Sequence, residues 1–270
     1  MKLIAVDVDG TLLNSKHQIG PKTRDTLIKT GNAGHKIVIV SGRPTSGVKH
    51  LAKELKFDQF GGLLSNFNGG AITNYASGEI IVNHSIDRSL ALEILNDTKD
   101  LDLEIIIPFE DVILSDRDNE YLNFERKILG LETRVVADIR ENLDFDPSKI
   151  IFAKDEEILD KHIPFLLEKY GDRTSQVRSQ RFYYEIMAKG LSKGKSLLEI
   201  ADHYGIDQKD IIAFGDEMND FTMLEVAGVA VAMGNAVDPI KEIADYVTLS
   251  NDEDGIADYL EKFILKKEKI

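Results

Sequence analysis

Leu3-Ile4-Ala5-Val6-Asp7-Val8-Asp9-Gly10-Thr11 runs four consecutive apolar residues straight into two acids, a glycine and a hydroxyl. A short apolar run with β-branched members, bounded by turn chemistry, reads as a strand buried on both faces. Both carboxylates then stand at the strand's carboxyl end, where open α/β sheets place their ligand crevices. Two acids one residue apart on backbone leaving a strand can approach one hard cation, and Mg²⁺ takes oxygen ligands at about 2.1 Å. A solvated Asp-rich turn has the same residues, so a site here needs confirmation from elsewhere in the chain.

Outward from this stretch, apolar runs alternate with helical periodicity. The helix over 21–33 is followed by a strand at 37–40, then by a helix over 45–56 with Val48, Leu51 and Leu55 on one face. The rhythm returns near the end, with a helix at 193–204, a strand at 211–214, a helix at 217–227, a strand at 229–232 and a closing helix from about 254. This is the pattern of a parallel sheet covered by helices, an α/β fold in which both ends of the chain share one sheet. After Gly69-Gly70 and the Ala76-Ser77-Gly78 turn the character changes. An α+β insertion is expected there, with a helix over 88–99, strands at 104–107, 112–114, 149–153 and 182–187, and a helix over 156–170. The expected organisation is core 1–82, insertion 83–186 and core 187–270.

Three later segments repeat the placement of acids and hydroxyls after strands. Ser41-Gly42-Arg43 follows the 37–40 run and precedes a helix opened by Pro44, so a hydroxyl and free amides suited to phosphate sit at a helix start. Gly215-Asp216-Glu217-Met218-Asn219-Asp220 stands between a strand and a helix, where acids can complete a metal shell. Helix capping explains one of those three carboxylates and leaves the others. Lys193 opens a helix, where the dipole disfavours a cation, which points to a bound anion.

Composition narrows the partners. With 47 acidic against 33 basic residues and a formal charge of −14, the chain repels a nucleic-acid backbone. It has no Cys, hence no disulfide, thiolate metal site or Cys nucleophile. No apolar stretch approaches the about 20 residues of a membrane span, and the opening run is shorter than a signal-peptide core, so a cytoplasmic protein without membrane attachment is expected. Oligomeric state is not legible.

Taken together, D-x-D-G-T, S-G-R, the Lys193-Gly194 pair and G-D-x-x-N-D resemble, in order and context, the haloacid dehalogenase superfamily, and within it the Cof-type subfamily IIB sugar phosphatases. Asn68-Gly69-Gly70 resembles that group's Asn-Gly-Ala turn, with Gly70 in place of Ala. Tyr184-Glu185-Ile186 and the 251–255 segment resemble its cap return and final segment. Gly42-Arg43-Pro44 running into Gly47-Val48, with Glu253-Asp254-Gly255, is similar to its YidA-like branch. The resemblance implies a Rossmann-like core with helices on both faces of a parallel sheet and an inserted cap of type C2.

It implies a Mg²⁺-dependent phosphatase for small phosphate esters, sugar phosphates foremost. Asp7 is then the nucleophile, Asp9 the general acid and base, and Lys193 a catalytic cation. Val8, Ser41, Gly42, Lys193 and Asn219 hold the phosphoryl group, and Asp7, Asp9, Asp216 and Asp220 surround the metal. A phosphomutase of the same superfamily uses the same aspartate, and a non-catalytic phosphometabolite binder keeps the same fold. A P-loop reading of Gly194-Lys195-Ser196 fails because its first glycine falls on Lys189, and a calcium loop begun at Asp7 fails at Leu12 and Gln18. The six histidines show no metal spacing.

Overall fold

The computed structural model describes residues 1–109 and 112–268. Its chain divides into two compact units, one of Met1–Gly42, Val48–Val82 and the chain from Ser192 onward, the other of Arg43–Gly47 and Asn83–Leu191.

The first unit is built on an eight-stranded sheet. Its strands are β1 (Leu3–Val6), β2 (Lys36–Val40), β3 (Leu63–Asn66), β4 (Ala71–Asn74) and β5 (Ile80–Asn83), joined late in the chain by β12 (Ile211–Gly215), β13 (Val229–Ala232) and β14 (Tyr246–Val247). The order is β14-β13-β12-β1-β2-β3-β4-β5, parallel from β14 through β3 and antiparallel where β4 returns along β3. Successive side chains of a strand point to opposite faces, and both faces here are apolar. Ile4 and Val6 pack with Leu27, Val48, Leu51, Ile256 and Leu260 of the helices Pro21–Asn32, Ser46–Glu54 and Gly255–Phe263. Leu3 and Ala5 pack with Leu197, Ile200, Met223 and Ile240 of the helices Lys193–Tyr204, Phe221–Val226 and Asp238–Ile243. The helices thus flank both faces, as expected from the apolar rhythm.

The second unit carries a six-stranded sheet of β6 (Glu104–Phe109), β7 (Val112–Ser115), β8 (Glu132–Val135), β9 (Lys149–Ala153), β10 (Thr174–Gln180) and β11 (Tyr183–Ala188), in the order β10-β11-β9-β6-β7-β8. Helices Arg88–Asp97 and Glu156–Tyr170 cover one face, and Glu120–Leu129 covers the other. Three of these elements have no counterpart in the sequence reading: Glu120–Leu129, β8 and β10. Both strands lack apolar alternation because they lie at the sheet's edges, where all their side chains but that of Thr174 are partly or wholly exposed. The helix is marked at both ends, by the Asn119 cap, whose side chain accepts the Leu122 N–H, and by Gly130 in the left-handed conformation after its last turn. Among the described residues no helix is long and apolar enough to cross a membrane.

Candidate active site

Parallel strands β12, β1 and β2 are adjacent, with Val6 registered against Phe214 on one side and Ile39 on the other. Their carboxyl ends therefore lie side by side and deliver Asp7, Ser41 and Asp216 to one edge of the sheet. Asp7 is 5 % exposed, and its N–H donates to the Phe214 carbonyl at 3.2 Å, continuing the ladder one residue beyond the strand. Val8 is buried, and its carbonyl accepts the Leu13 N–H at 2.9 Å. Asp9, next in the loop, is exposed. Gly10 takes φ +79°, and a β-carbon there would stand 2.1 Å from Asp216 Oδ2, so only glycine lets the loop approach that acid.

Lys193 joins the two halves of the site. Its ammonium, wholly buried, donates at 2.6 Å to Asp7 Oδ1 and at 2.6 Å to Asp220 Oδ1. Asp220 Oδ2 accepts the N–H groups of Asp216 and Glu217 at 2.9 and 3.2 Å, so this acid serves Lys193 on one side and the β12 loop on the other. Asp216 Oδ1 accepts the Thr11 hydroxyl at 2.7 Å. Carboxylate oxygens of Asp7, Asp216 and Asp220 all fall within 4.8 Å of one another. Asp9 is not among the three acids so gathered, and Asn219 is half-buried in the short turn Met218–Asp220.

A description of the haloacid dehalogenase-like hydrolases matches residues 4–260. The chain belongs to that family. A haloacid dehalogenase-like hydrolase from Bacteroides thetaiotaomicron has a crystal structure that superposes with a TM-score of 0.91 at 32 % identity, covering 97 % of this chain and 99 % of that one. The subclass IIB sugar phosphatase BT4131 superposes with a TM-score of 0.82 at 26 % identity, over 97 % and 99 % of the two chains. A Bacillus subtilis (strain 168) relative, the 5-amino-6-(5-phospho-D-ribitylamino)uracil phosphatase YitU, is 33 % identical over 276 residues, 97 % of each chain. The protein is accordingly a haloacid dehalogenase-like phosphatase.

The electrostatics of this phosphatase suit a hard cation. Burial, reinforced by the charge of Asp220, pushes the Asp7 carboxyl well above its ordinary pKa even though Lys193 pulls it down. Burial likewise raises Asp216 to about 7 against the Thr11 hydrogen bond, with Asp220 adding to the rise. Burial alone lowers the Lys193 pKa, but the charges of Asp220 and Asp7 overcome it and hold the ammonium charged. Three buried carboxylates against one ammonium leave uncompensated negative charge on oxygens close enough to share one ion, which fits a small divalent cation.

Two residues escaped the sequence reading. Thr11 was visible only as the end of a motif, without its bond to Asp216. Asn235 donates to the Gly10 carbonyl at 2.8 Å and approaches Asp216 Oδ2 at 3.5 Å. Its signal was the Gly234-Asn235 pair shortly after β13, the same strand-end placement that marks the other residues.

Proposed function

We propose that this phosphatase hydrolyses small phosphate monoesters, sugar phosphates foremost, with Mg²⁺ and through a phosphoryl-aspartate on Asp7. The observation that carries this reading is the Lys193 ammonium shared between Asp7 and Asp220 beside the Asp216 carboxylate. Lys193 keeps one oxygen of Asp7 fixed, and the other attacks phosphorus in line. The phosphorus–oxygen bond to the leaving group breaks as Asp9 gives that oxygen a proton. Water then attacks the phosphoryl group, Asp9 takes its proton, and the bond to Asp7 breaks to free phosphate and restore the carboxylate. Ser41, the main chain at Val8 and Gly42, Lys193 and Asn219 hold the phosphoryl oxygens, since positioning and charge dominate this chemistry. Mg²⁺ would be held by Asp7, Asp9 and Asp216 with Asp220 behind them, and when bound supplies charge that keeps Asp7 ionised and offsets that of the phosphate. The insertion over 83–186 supplies selectivity among leaving groups.

The test is phosphate release from a panel of small esters with Mg²⁺ or a chelator, using native protein and Asp7→Asn. Release that needs Mg²⁺ and disappears in the folded variant is the expected result. Wild-type turnover by Asp7→Asn would sink the mechanism, and bisphosphate-dependent isomerisation without phosphate release would identify a mutase.

A further inference from the structure

The turn after β3 has three consecutive residues in the left-handed region, Phe67 at φ +53°, Asn68 at +55° and Gly69 at +99°. For glycine and asparagine this is tolerable, but a bulky phenylalanine there is a genuine outlier, and such strain persists only where the surroundings enforce it. The surroundings are two of the segments assigned above to the phosphoryl oxygens, the Ser41-Gly42 loop and the start of the Lys193 helix. On one side, Ser41 N–H donates to the Ser65 carbonyl at 2.8 Å, Asn68 N–H donates to the Ser41 carbonyl at 3.0 Å, and Ser41 is thereby held through both main-chain groups. The Asn68 side chain, itself buried, lies against Gly42. A β-carbon on Gly42 would stand 3.2 Å from Asn68 Oδ1 and 3.4 Å from Nδ2.

On the other side the same segment meets the start of the Lys193 helix. The Ser65 and Ser196 hydroxyls are hydrogen-bonded at 2.8 Å, and Ser196 Oγ donates to the Lys193 carbonyl at 2.9 Å. At Gly69 a β-carbon would come within 2.7 Å of the Ser192 carbonyl oxygen, so the turn packs directly on the residue before Lys193.

We infer that the segment from Ser65 to Gly69 is a bracket that fixes the Ser41-Gly42 loop and Lys193 relative to each other, with Asn68 as the positioning residue for the phosphate loop. This rests on the proposed phosphoryl-binding roles of Ser41, Gly42 and Lys193. Asparagine meets both demands, because it adopts the left-handed conformation and its amide is uncharged against a loop that receives an anion.

Binding of inorganic phosphate in the presence of Mg²⁺, measured by calorimetry, tests the inference without turnover. Asn68→Asp keeps shape and backbone tolerance but puts a carboxylate beside Gly42, and it is expected to weaken phosphate binding and raise KM at least ten-fold, with a smaller change in kcat. Asn68→Gly keeps the backbone and removes the side chain, and it is expected to weaken binding less than Asn68→Asp. Ser41→Ala serves as the reference, and melting temperatures separate positioning from unfolding. Unaltered phosphate affinity in Ser41→Ala overturns the underlying reading and the bracket together. Weakened affinity in Ser41→Ala beside wild-type affinity in Asn68→Asp overturns the bracket alone, as do losses in the Asn68 variants that merely follow their melting temperatures.

Discussion

Replacing Lys193 by Met keeps the buried aliphatic stem and removes the ammonium from between Asp7 and Asp220, both 2.6 Å away. Breaking a buried ion pair from one side costs about 3–5 kcal/mol, because the partner charges stay buried without compensation. Here those charges are Asp7 and Asp220, with Asp216 adjacent. Asp7 already holds its proton to higher pH than an exposed aspartate through burial and Asp220, and the one group opposing that through charge and hydrogen bonding is Lys193. Without Lys193 the shift grows. A carboxyl whose pKa is higher in the folded chain than in the unfolded one stabilises the fold at low pH and loses that contribution as pH rises through the folded value. In chelator, the melting temperature of Lys193→Met should therefore trail wild type by more at pH 8 than at pH 5. Turnover should fall together with stability. Loss of a charged donor to the transferring group costs about 10²–10³ in rate, or about 2.7–4 kcal/mol. Adding Asp220→Asn to Lys193→Met should recover part of the stability and none of the activity. Equal melting deficits at both pH values, or turnover within ten-fold of wild type, would refute the reasoning.

Mg²⁺ should raise the melting temperature, and by more at pH 8 than at pH 5, because an Asp216 carboxyl titrating at about 7 must release its proton before it can take a cation. Scanning calorimetry in Mg²⁺ and in chelator measures this, and a shift independent of pH would remove the two acids with raised pKa, Asp7 and Asp216, from the metal site. In the second unit, Lys149 donates to Glu185 at 3.0 Å with both side chains buried and Glu125 close by. Lys149→Met should cost about 3–5 kcal/mol in denaturant unfolding, whereas adding Glu185→Met should recover part of that loss, Glu125 staying buried without its cation. A double variant as unstable as the single one would show that apolar packing does not replace the pair.

What the sequence determined by itself was the alternation of buried strands and amphipathic helices and, with it, the strand-end positions of Asp7, Ser41 and Asp216. Those features are local. An apolar run written next to an acid or hydroxyl places that residue at the end of a strand wherever the strand is packed, and all parallel strands present the same end to one edge of a sheet. The second unit's strands were legible for the same reason where they are buried on both faces, as in Lys149–Ala153, and illegible at the edge strands Glu132–Val135, which is mostly exposed, and Thr174–Gln180, which is mostly half-buried. Tertiary structure alone decided which ends are neighbours. The order β12-β1-β2 brings Asp216, Asp7 and Ser41 together, and the docking of the Lys193 helix sets its ammonium between acids 186 and 27 residues away in the chain. Asn235 and the left-handed turn at Phe67 and Asn68 belong to this second category, because a hydrogen bond across 225 residues and a backbone strain enforced by Ser41 and Ser192 leave no periodic trace in a sequence. Hydrophobic burial acts residue by residue and writes a pattern, whereas the pairing of polar groups depends on which distant segments the packed core brings within about 3 Å.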